Sequence, residues 1–538
     1  MALTHAPELS ASVHVDTFCR DNLPPFEQWP QLLLDGPGAG YPDRLNCAAA
    51  LLDDVVERLG RDRPCLRAPD GRVWSYGEVL DTANQVAGVL TDQLGVVPGN
   101  RVLLRGPNNP WLVMAWFGVL KAGAVVVTTM PLLRRGELDD IVDIAQIEYA
   151  ICDHRFLDDM PPELTTIVYG GPGADDLTAR CDSFAVEYAN VPTAADDVSM
   201  LAFTSGTTGR PKATMHFHRD VLAIADTFSQ HVLKPEPDDV FIGTPPLAFT
   251  FGLGGLVIFP MRVGASTMLV EKATPLELAE LIAEHRATVC FTAPTAYRSM
   301  VKAGDTSLLS SLRRGVSAGE HLDADTWQAV FEATGLRLID GIGSTEMLHV
   351  FISAADDEIR PGATGVPVPG FRARILDENG HEAPDGTPGR LAVRGPTGCR
   401  YLHDERQATY VADGWNITGD TFTRDSDGYF WYLARSDDMI VSSGYNIGGP
   451  EVEQAIMTHD AVFECAVIGV PDDQRGSIVK AYVVLAEGYP DDDDVVKSIQ
   501  EHVKNTIAPY KYPRQIEFID ALPRGATGKL QRFRLRQM

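Results

Sequence analysis

Residues 81–135 alternate helical and strand patterning, and one of the strands carries no polar face. Residues 81–94 place apolar side chains at helical spacing, and Arg101–Arg105 is strand-like. Trp111–Lys121 is helical, and Ala124–Thr129 is rich in β-branched residues and apolar without a break. A strand with one wet face alternates polar and apolar residues. A continuously apolar strand beside helices is buried on both faces, which points to a parallel sheet covered by helices. The pattern returns between 257 and 340, with strands expected at 266–270, 288–292 and 336–340 and helices near 275–285 and 323–334. The chain is therefore expected to be an α/β protein with a large N-terminal domain of layered sheets.

Near residue 360 the texture changes. Pro361, Gly362, Gly365, Pro367, Pro369 and Gly370 mark turns, and short strands are expected at 371–376 and 389–394, so a small β-rich subdomain follows. After Arg435 comes a further stretch of about 100 residues with a helix at 450–458, strands at 463–469 and 478–485, and a helix at 494–505. This reads as a small α+β C-terminal domain, and the expected division is 1–436 and 437–538. Asp491–Asp494 reads as a solvated loop and helix start, because four adjacent carboxylates repel one another and cannot all face one ion.

Charge narrows the function classes. There are 46 Lys plus Arg against 74 Asp plus Glu, a formal net charge of −28. Nucleic acid and anionic membranes both demand a basic surface, so neither is expected as a partner. A small anionic ligand needs only a local basic site. None of the 8 cysteines forms a CxxC pair, which argues against a zinc knuckle or a dithiol redox motif. The longest apolar stretch, Trp111–Val127, is interrupted by Lys121 and too short to span a bilayer. The first residues lack a basic segment followed by an apolar one, so a cytoplasmic protein is expected.

Five segments carry chemistry. Thr204-Ser-Gly-Thr-Thr-Gly-Arg-Pro-Lys212 follows the apolar strand Val198–Phe203. Small hydroxyl residues and glycines let backbone amides approach an anion, and Arg210 and Lys212 add positive charge. This is not a Walker A loop, because Gly206 and Gly209 are too close together for GxxxxGK[ST]. The second segment, Asp340-Gly-Ile-Gly-Ser-Thr-Glu346, follows the strand Leu336–Ile339, at the end of the sheet where α/β proteins hold ligands. Glu346 could bind a Mg²⁺ or equally open a capped helix. Third and fourth are Trp415–Asp420 and Arg435 with Asp437 and Asp438. The fifth is Leu522-Pro-Arg-Gly-Ala-Thr-Gly-Lys529, followed by Arg532, Arg534 and Arg536, a basic tail on an acidic chain. His216 and His218 form an HxH pair without a third ligand in view, so packing or loop bonding is the expected role.

In this order and spacing the five segments resemble the adenylate-forming superfamily of acyl-CoA synthetases, peptide-synthetase adenylation domains and luciferases, over residues from about 50 to 538. The resemblance implies ATP, Mg²⁺ and coenzyme A. Thr204, Ser205, Gly206, Thr207, Thr208, Gly209 and Lys212 would hold the ATP phosphates. Ser317, Gly319 and Glu320, with Asp340, Gly341, Gly343, Ser344 and Thr345, would flank the adenine and the acyl pocket. Glu346 and Thr207 would bind the metal, Asp420 the ribose hydroxyls, and Arg435 would assist. Lys529 would be the adenylation lysine and Asp437 the hinge of a mobile C-terminal domain. Ser443, Gly444 and Tyr445 would line a pantetheine tunnel, with Arg475 placed for CoA. Val441 departs from relatives that carry Lys there.

Within the superfamily, Thr129–Arg134, Phe249–Gly254 and Gly343–His349 resemble aryl-CoA ligases of the 2-aminobenzoate and benzoate type. Phe249, Thr250, Phe251 and His349 are then the aryl-pocket candidates, and a small aromatic carboxylic acid is the expected substrate, 2-aminobenzoate or salicylate. The chemistry suits the residue types. A carboxylate is nucleophilic at neutral pH, so attack on the α-phosphorus needs no general base. The barrier is charge repulsion, which cations and loop amides offset. Two other readings stand beside this one: a stand-alone adenylation enzyme loading an aryl or fatty acid onto a separate carrier protein, and a nucleotide-binding protein without catalysis. A homodimer is left open.

Overall fold

A computed structural model describes residues 9–173, 175–204, 211–435, 438–442, 445–472, 475–507, 509–524 and 530–538. By its internal contacts the chain divides into two units. One comprises Met1–Ala318, Ala324–Ala373 and Val393–Ile417, and the other Gly319–Asp323, Arg374–Ala392 and Thr418–Met538. The expected boundary after residue 436 lies inside the second unit.

The first unit is built on two sheets. Among the described residues, one has six strands in the order 165–169, 149–153, 101–105, 125–129, 198–204, 212–217. All its neighbours run parallel except the last pair, an antiparallel hairpin. The strand Arg101–Arg105 is buried at every position, and Val125–Thr129 at all but one. This is why Val125–Thr129 lacks alternation, while Arg101 and Arg105 are buried by donating to the carbonyls of Ala145 and Met130. The other sheet has nine strands, with 338–343, 314–317, 289–292, 240–243 and 266–269 adjacent in that order and parallel.

Local signals set the helix ends. Pro110–Lys121 starts with Pro at its first turn and Asn109 as cap, accepting the Leu112 N–H at 3.0 Å. It packs on the helix Tyr76–Gly88, and Gly118 allows the approach: a Cβ there would meet Val86 Cγ1 at 2.5 Å. The helix expected at 81–94 begins five residues earlier. Ser75 and Glu78 form a reciprocal capping box that fixes the start at Tyr76, and the chain continues past Gly88 as a π-turn over Val89–Gln93. The strand expected at 336–340 runs Leu338–Gly343, so Asp340, Gly341 and Gly343 belong to the strand itself. It turns back antiparallel onto Val350–Ser353, and between them lies only a 3₁₀ turn, Thr345–Met347, so Glu346 does not open a longer helix.

One buried ion pair ties distant parts of the unit together. Asp220 and Arg400 are in contact and both are fully buried. Asp220 also accepts the Phe217 N–H at 2.9 Å, and the Arg400 guanidinium lies 3.9 Å from the Phe217 ring centroid. Removing one partner strands the other charge. Asp220→Ala is expected to cost about 3–5 kcal/mol of stability, measured as a lowered urea midpoint of the first unit's transition.

In the second unit, Val462–Asp472 and Gly476–Leu485 pair antiparallel, and Gln515–Phe518 joins the latter in parallel. The helices Gly449–Met457 and Asp493–Thr506 close one core through Val452, Ile456, Ile499 and Val503. Asp492 caps the second helix, accepting N–H groups from Asp494 and Val495, so the acidic run is a helix start as expected. The fold is thus one of layered α/β sheets with a small α+β C-terminal domain. No helix among the described residues is long and apolar enough to cross a membrane.

Candidate active site

The hairpin of the six-stranded sheet sets Thr204 opposite Lys212, at the two ends of the phosphate-loop segment. Ser205–Arg210, including Thr207, lie outside the described residues, as do Asp437, Ser443, Gly444 and Lys529. Thr204 Oγ1 is buried without a hydrogen-bond partner among the described residues. Lys212 Nζ lies 2.9 Å from Glu346 Oε1 and also donates to the Tyr401 hydroxyl. Tyr401 in turn donates to Glu346 Oε1 at 2.5 Å, closing a three-membered cluster. Glu346 is 7% exposed. Burial pushes its carboxyl up, but the Lys212 ammonium and the Tyr401 hydroxyl hold it below the ordinary carboxylate range.

The turn that carries Glu346 is pinned from two sides. Period-2 alternation puts Lys212, Thr214 and His216 on one face of their strand. His216 Nε2 bonds the Thr345 carbonyl oxygen at 2.9 Å, and Thr397 Oγ1 donates to the Met347 carbonyl at 2.8 Å. Ser344 caps the turn, accepting the Met347 N–H. The HxH pair therefore holds backbone in place: His218 Nδ1 accepts the Cys47 N–H at 3.2 Å. Tyr401 is set by the backbone pairing of 400–402 with 213–215 and by Gln407, whose Oε1 accepts the Tyr401 N–H at 2.8 Å.

A Mg²⁺ that bridges phosphates asks the protein for one or two oxygen ligands and keeps waters for the rest. The ionised, buried Glu346 carboxylate is a donor of that kind and fits the ion, while its expected partner Thr207 lies outside the described residues.

Ser317 and Asp340 are neighbours across adjacent parallel strands of the nine-stranded sheet, Ser317 at the carboxyl end of its strand. Ser317 Oγ is buried without a partner. Burial pushes the Asp340 carboxyl up to about 8, against the opposing Gly341 N–H. The folded chain therefore holds this proton more tightly than the unfolded one. Its stabilising contribution is complete below about pH 4 and is lost as pH rises toward 8. Asp340→Asn is expected to flatten that slope of melting temperature against pH between 5 and 8.

The aryl-pocket candidates meet in part. His349 is 3% exposed and its ring lies 5.6 Å from Phe251, 4.5 Å from Phe259 and 5.5 Å from Phe228, centroid to centroid. Gly254 makes room for it, since a Cβ there would lie 2.3 Å from His349 Cδ2. Burial pushes the imidazole down to about 3, with the Phe251 backbone opposing, and neither ring nitrogen has a partner in hydrogen-bond geometry. Thr250 is buried, in the short helix Thr250–Leu253. Phe249 caps that helix and makes no ring contact among the described residues.

In the second unit Asp420 and Arg435 face each other on paired strands, with Arg435 Nη1 3.2 Å from Asp420 Oδ1. Glu320 lies 3.6 Å from Arg524, and Gly319 has φ +91°, a conformation glycine adopts without strain. Arg475 is exposed, and its N–H donates to Asp472.

Tyr401, which completes the Lys212–Glu346 cluster, was not among the sequence candidates. It sits 189 residues from Lys212, and nothing local to it signals the contact. The alternation of 212, 214 and 216 could have flagged His216 as facing the same site.

Comparison with known proteins bears on both units. The family described as AMP-binding enzyme matches residues 52–401, and the AMP-binding enzyme C-terminal domain matches 451–529. A benzoate–CoA ligase of Thauera aromatica is 35% identical over 93% of this chain and 97% of its own length. A 4-hydroxybenzoate–CoA/benzoate–CoA ligase of Rhodopseudomonas palustris is 33% identical, covering 87% and 89%. Among solved structures, an anthranilate CoA ligase in complex with anthranoyl-AMP matches with TM-score 0.86 at 35% identity, over 92% of this chain and 98% of that one. A benzoate CoA ligase from Burkholderia xenovorans matches with TM-score 0.83 at 31% identity, over 91% and 100%.

Proposed function

This chain belongs to the AMP-binding enzyme family, and from that premise we propose that it is an aryl-acid CoA ligase acting on 2-aminobenzoate first and salicylate second. It is an AMP-forming acid–thiol ligase. The aryl carboxylate attacks the α-phosphorus of ATP, a P–O bond forms and pyrophosphate leaves. The CoA thiol gives up its proton to solvent, the thiolate attacks the acyl carbonyl, the C–S bond forms, and AMP leaves with the C–O electron pair.

The observation that carries the substrate reading is the imidazole of His349 buried among Phe228, Phe251 and Phe259, with neither nitrogen in hydrogen-bond geometry with a partner among the described residues. Aromatic neighbours suit a flat ring, at about 0.5–1.5 kcal/mol per pair beyond area burial. A buried polar atom without a partner is costly, so such a pocket favours a ring that brings an amino or hydroxyl group. A relative crystallised with anthranoyl-AMP supports the choice.

The remaining roles rest on the resemblance. Thr204–Gly209 and Lys212 cradle the phosphates. Mg²⁺, held by Glu346 with Thr207, would supply positive charge at the phosphate oxygens. Ser317, Gly319, Glu320, Asp340, Gly341 and Gly343–Thr345 flank the adenine and the acyl pocket. Asp420 holds the ribose hydroxyls with Arg435. Residues 437–538 reorient about Asp437 between the two steps, bringing Lys529 for adenylation and opening access for CoA along Ser443, Gly444, Tyr445 and Arg475. Proline at 437 fixes φ near −65°, so Asp437→Pro is expected to keep pyrophosphate exchange and lose CoA transfer; normal overall turnover would dismiss the hinge.

The test of the whole reading is ATP–pyrophosphate exchange against a panel of carboxylic acids, followed by thioester formation with CoA or with a carrier protein. Exchange with no acid returns the chain to nucleotide binding alone. Exchange with thioester formed only on a carrier favours the carrier-loading alternative.

A further inference from the structure

The Lys212–Glu346 pair has a third member whose place in the reaction is open. Lys212 is the cation at the described end of the phosphate-loop segment, and Glu346 is the carboxylate proposed for the metal. In the structure the two pair at 2.9 Å, and each also bonds the Tyr401 hydroxyl. A nucleotide changes that balance, because a polyphosphate carries more negative charge than one carboxylate and competes for the same ammonium. If Lys212 were the only partner, Glu346 would lose its donor when the metal–nucleotide arrives. It would then be a buried carboxylate free to turn away or pick up a proton.

Tyr401 supplies a second donor. Its hydroxyl donates to the same carboxylate oxygen that Lys212 approaches, and it carries no charge that a phosphate could draw off. The residue is 1% exposed and cannot swing out without breaking its surroundings. Its ring stacks edge-on to Tyr410 at 5.7 Å, its N–H is held by Gln407, and it bridges Thr214 on the strand that carries Lys212. The Lys212 ammonium also lies 4.4 Å from the Tyr401 ring centroid, so the ring guides the lysine while the hydroxyl holds the glutamate.

We propose that Tyr401 is a positioning residue of the adenylation step, which keeps the Glu346 carboxylate aimed at the metal–nucleotide while Lys212 transfers to the phosphates. The proposal rests on the reading of Glu346 as the metal carboxylate, and the experiment separates the two.

Mn²⁺ serves as the probe, its binding to full-length protein followed by electron paramagnetic resonance with a non-hydrolysable ATP analogue present. Tyr401→Phe removes one oxygen and keeps the ring. It is expected to weaken Mn²⁺ binding about tenfold, the loss of one charge-assisted hydrogen bond, while KM for the aryl acid stays within twofold. Glu346→Gln is expected to weaken binding at least as much, and in that background Tyr401→Phe is expected to add nothing. Tyr401→His keeps a ring N–H donor and is expected to stay within threefold of the unaltered protein. It also provides a reading if the Phe variant does not fold. If Glu346→Gln leaves Mn²⁺ binding unchanged, the metal reading of Glu346 fails, and the proposal with it. If Glu346→Gln weakens binding and Tyr401→Phe does not, only the proposal fails. A Tyr401→Phe effect that persists in the Glu346→Gln background, or a His variant as weak as the Phe variant, overturns it in favour of simple packing.

Discussion

Lys529→Ala is expected to slow acyl-adenylate formation by about 10²–10³ while thioester formation from supplied acyl-adenylate and CoA proceeds largely unchanged. The asymmetry follows from the charges. In the first step a carboxylate must approach a polyphosphate, anion against anion, and negative charge grows on the phosphate oxygens. One mobile ammonium placed there acts on the transition state more than on the ground state, so its removal falls on kcat. In the second step the electrophile is a neutral carbonyl and the leaving group is AMP, already stable as an anion, so the lysine has little left to offset. The match of the C-terminal family domain ends at residue 529. The two half-reactions are measured separately, as pyrophosphate exchange and as CoA consumption with synthetic acyl-adenylate. An equal fall in both, in a protein that melts normally, removes the lysine from its assigned role.

What could be read from the sequence, and what could not, follows from how local each cause is. The continuously apolar strand near 125–129 announced a doubly covered parallel sheet, because the cause, burial on both faces, acts on each residue of the strand. The start of the helix at Tyr76 was missed although its cause was equally local. The Ser75 and Glu78 pair is a capping signature four residues long, and apolar periodicity alone places the start too late. The turn after Asp340 could not be settled from the sequence. Glu346 lies in a 3₁₀ turn because Val350–Ser353 folds back onto the preceding strand, a pairing that no residue near 346 encodes.

The candidate site divides in the same way. Thr204, Lys212 and Glu346 were legible because glycines, hydroxyls and charges cluster around them in sequence. Tyr401 was not, since it meets Glu346 across 55 residues and Lys212 across 189, through the backbone pairing of 400–402 with 213–215. Of the aryl candidates, Phe251 and His349 do converge, but the rings that complete their surroundings, Phe228 and Phe259, lie outside every chemistry-bearing segment, in Ala225–Leu233 and Phe259–Val263. Their contribution depends on which way neighbouring helices face, and that is set by tertiary packing.

His349→Leu is expected to lower kcat/KM for 2-aminobenzoate and for salicylate by about 5- to 150-fold and to leave benzoate nearly unchanged. The range comes from the cost of leaving one buried polar group without a partner, about 1–3 kcal/mol. In the unaltered protein the imidazole is neutral at pH 7, because burial pushes it down to about 3, so one ring nitrogen can donate and the other accept. An ortho amino or hydroxyl group could take up either. Benzoate offers neither, so it gains nothing from the imidazole and loses nothing with it. Leucine keeps an apolar body close to that of histidine among Phe228, Phe251 and Phe259, so the variant removes the polar atoms with little change in the space. The measurement is kcat/KM for 2-aminobenzoate, salicylate, benzoate, cinnamate and octanoate under one concentration each of ATP, Mg²⁺ and CoA, in both proteins. The split between substituted and plain benzoate is the decisive number, because a general loss of packing lowers all five acids together. Parallel losses for benzoate and 2-aminobenzoate would make His349 a core residue. Octanoate or cinnamate exceeding every benzoate tenfold in the unaltered protein would move the aryl pocket away from Phe251 altogether.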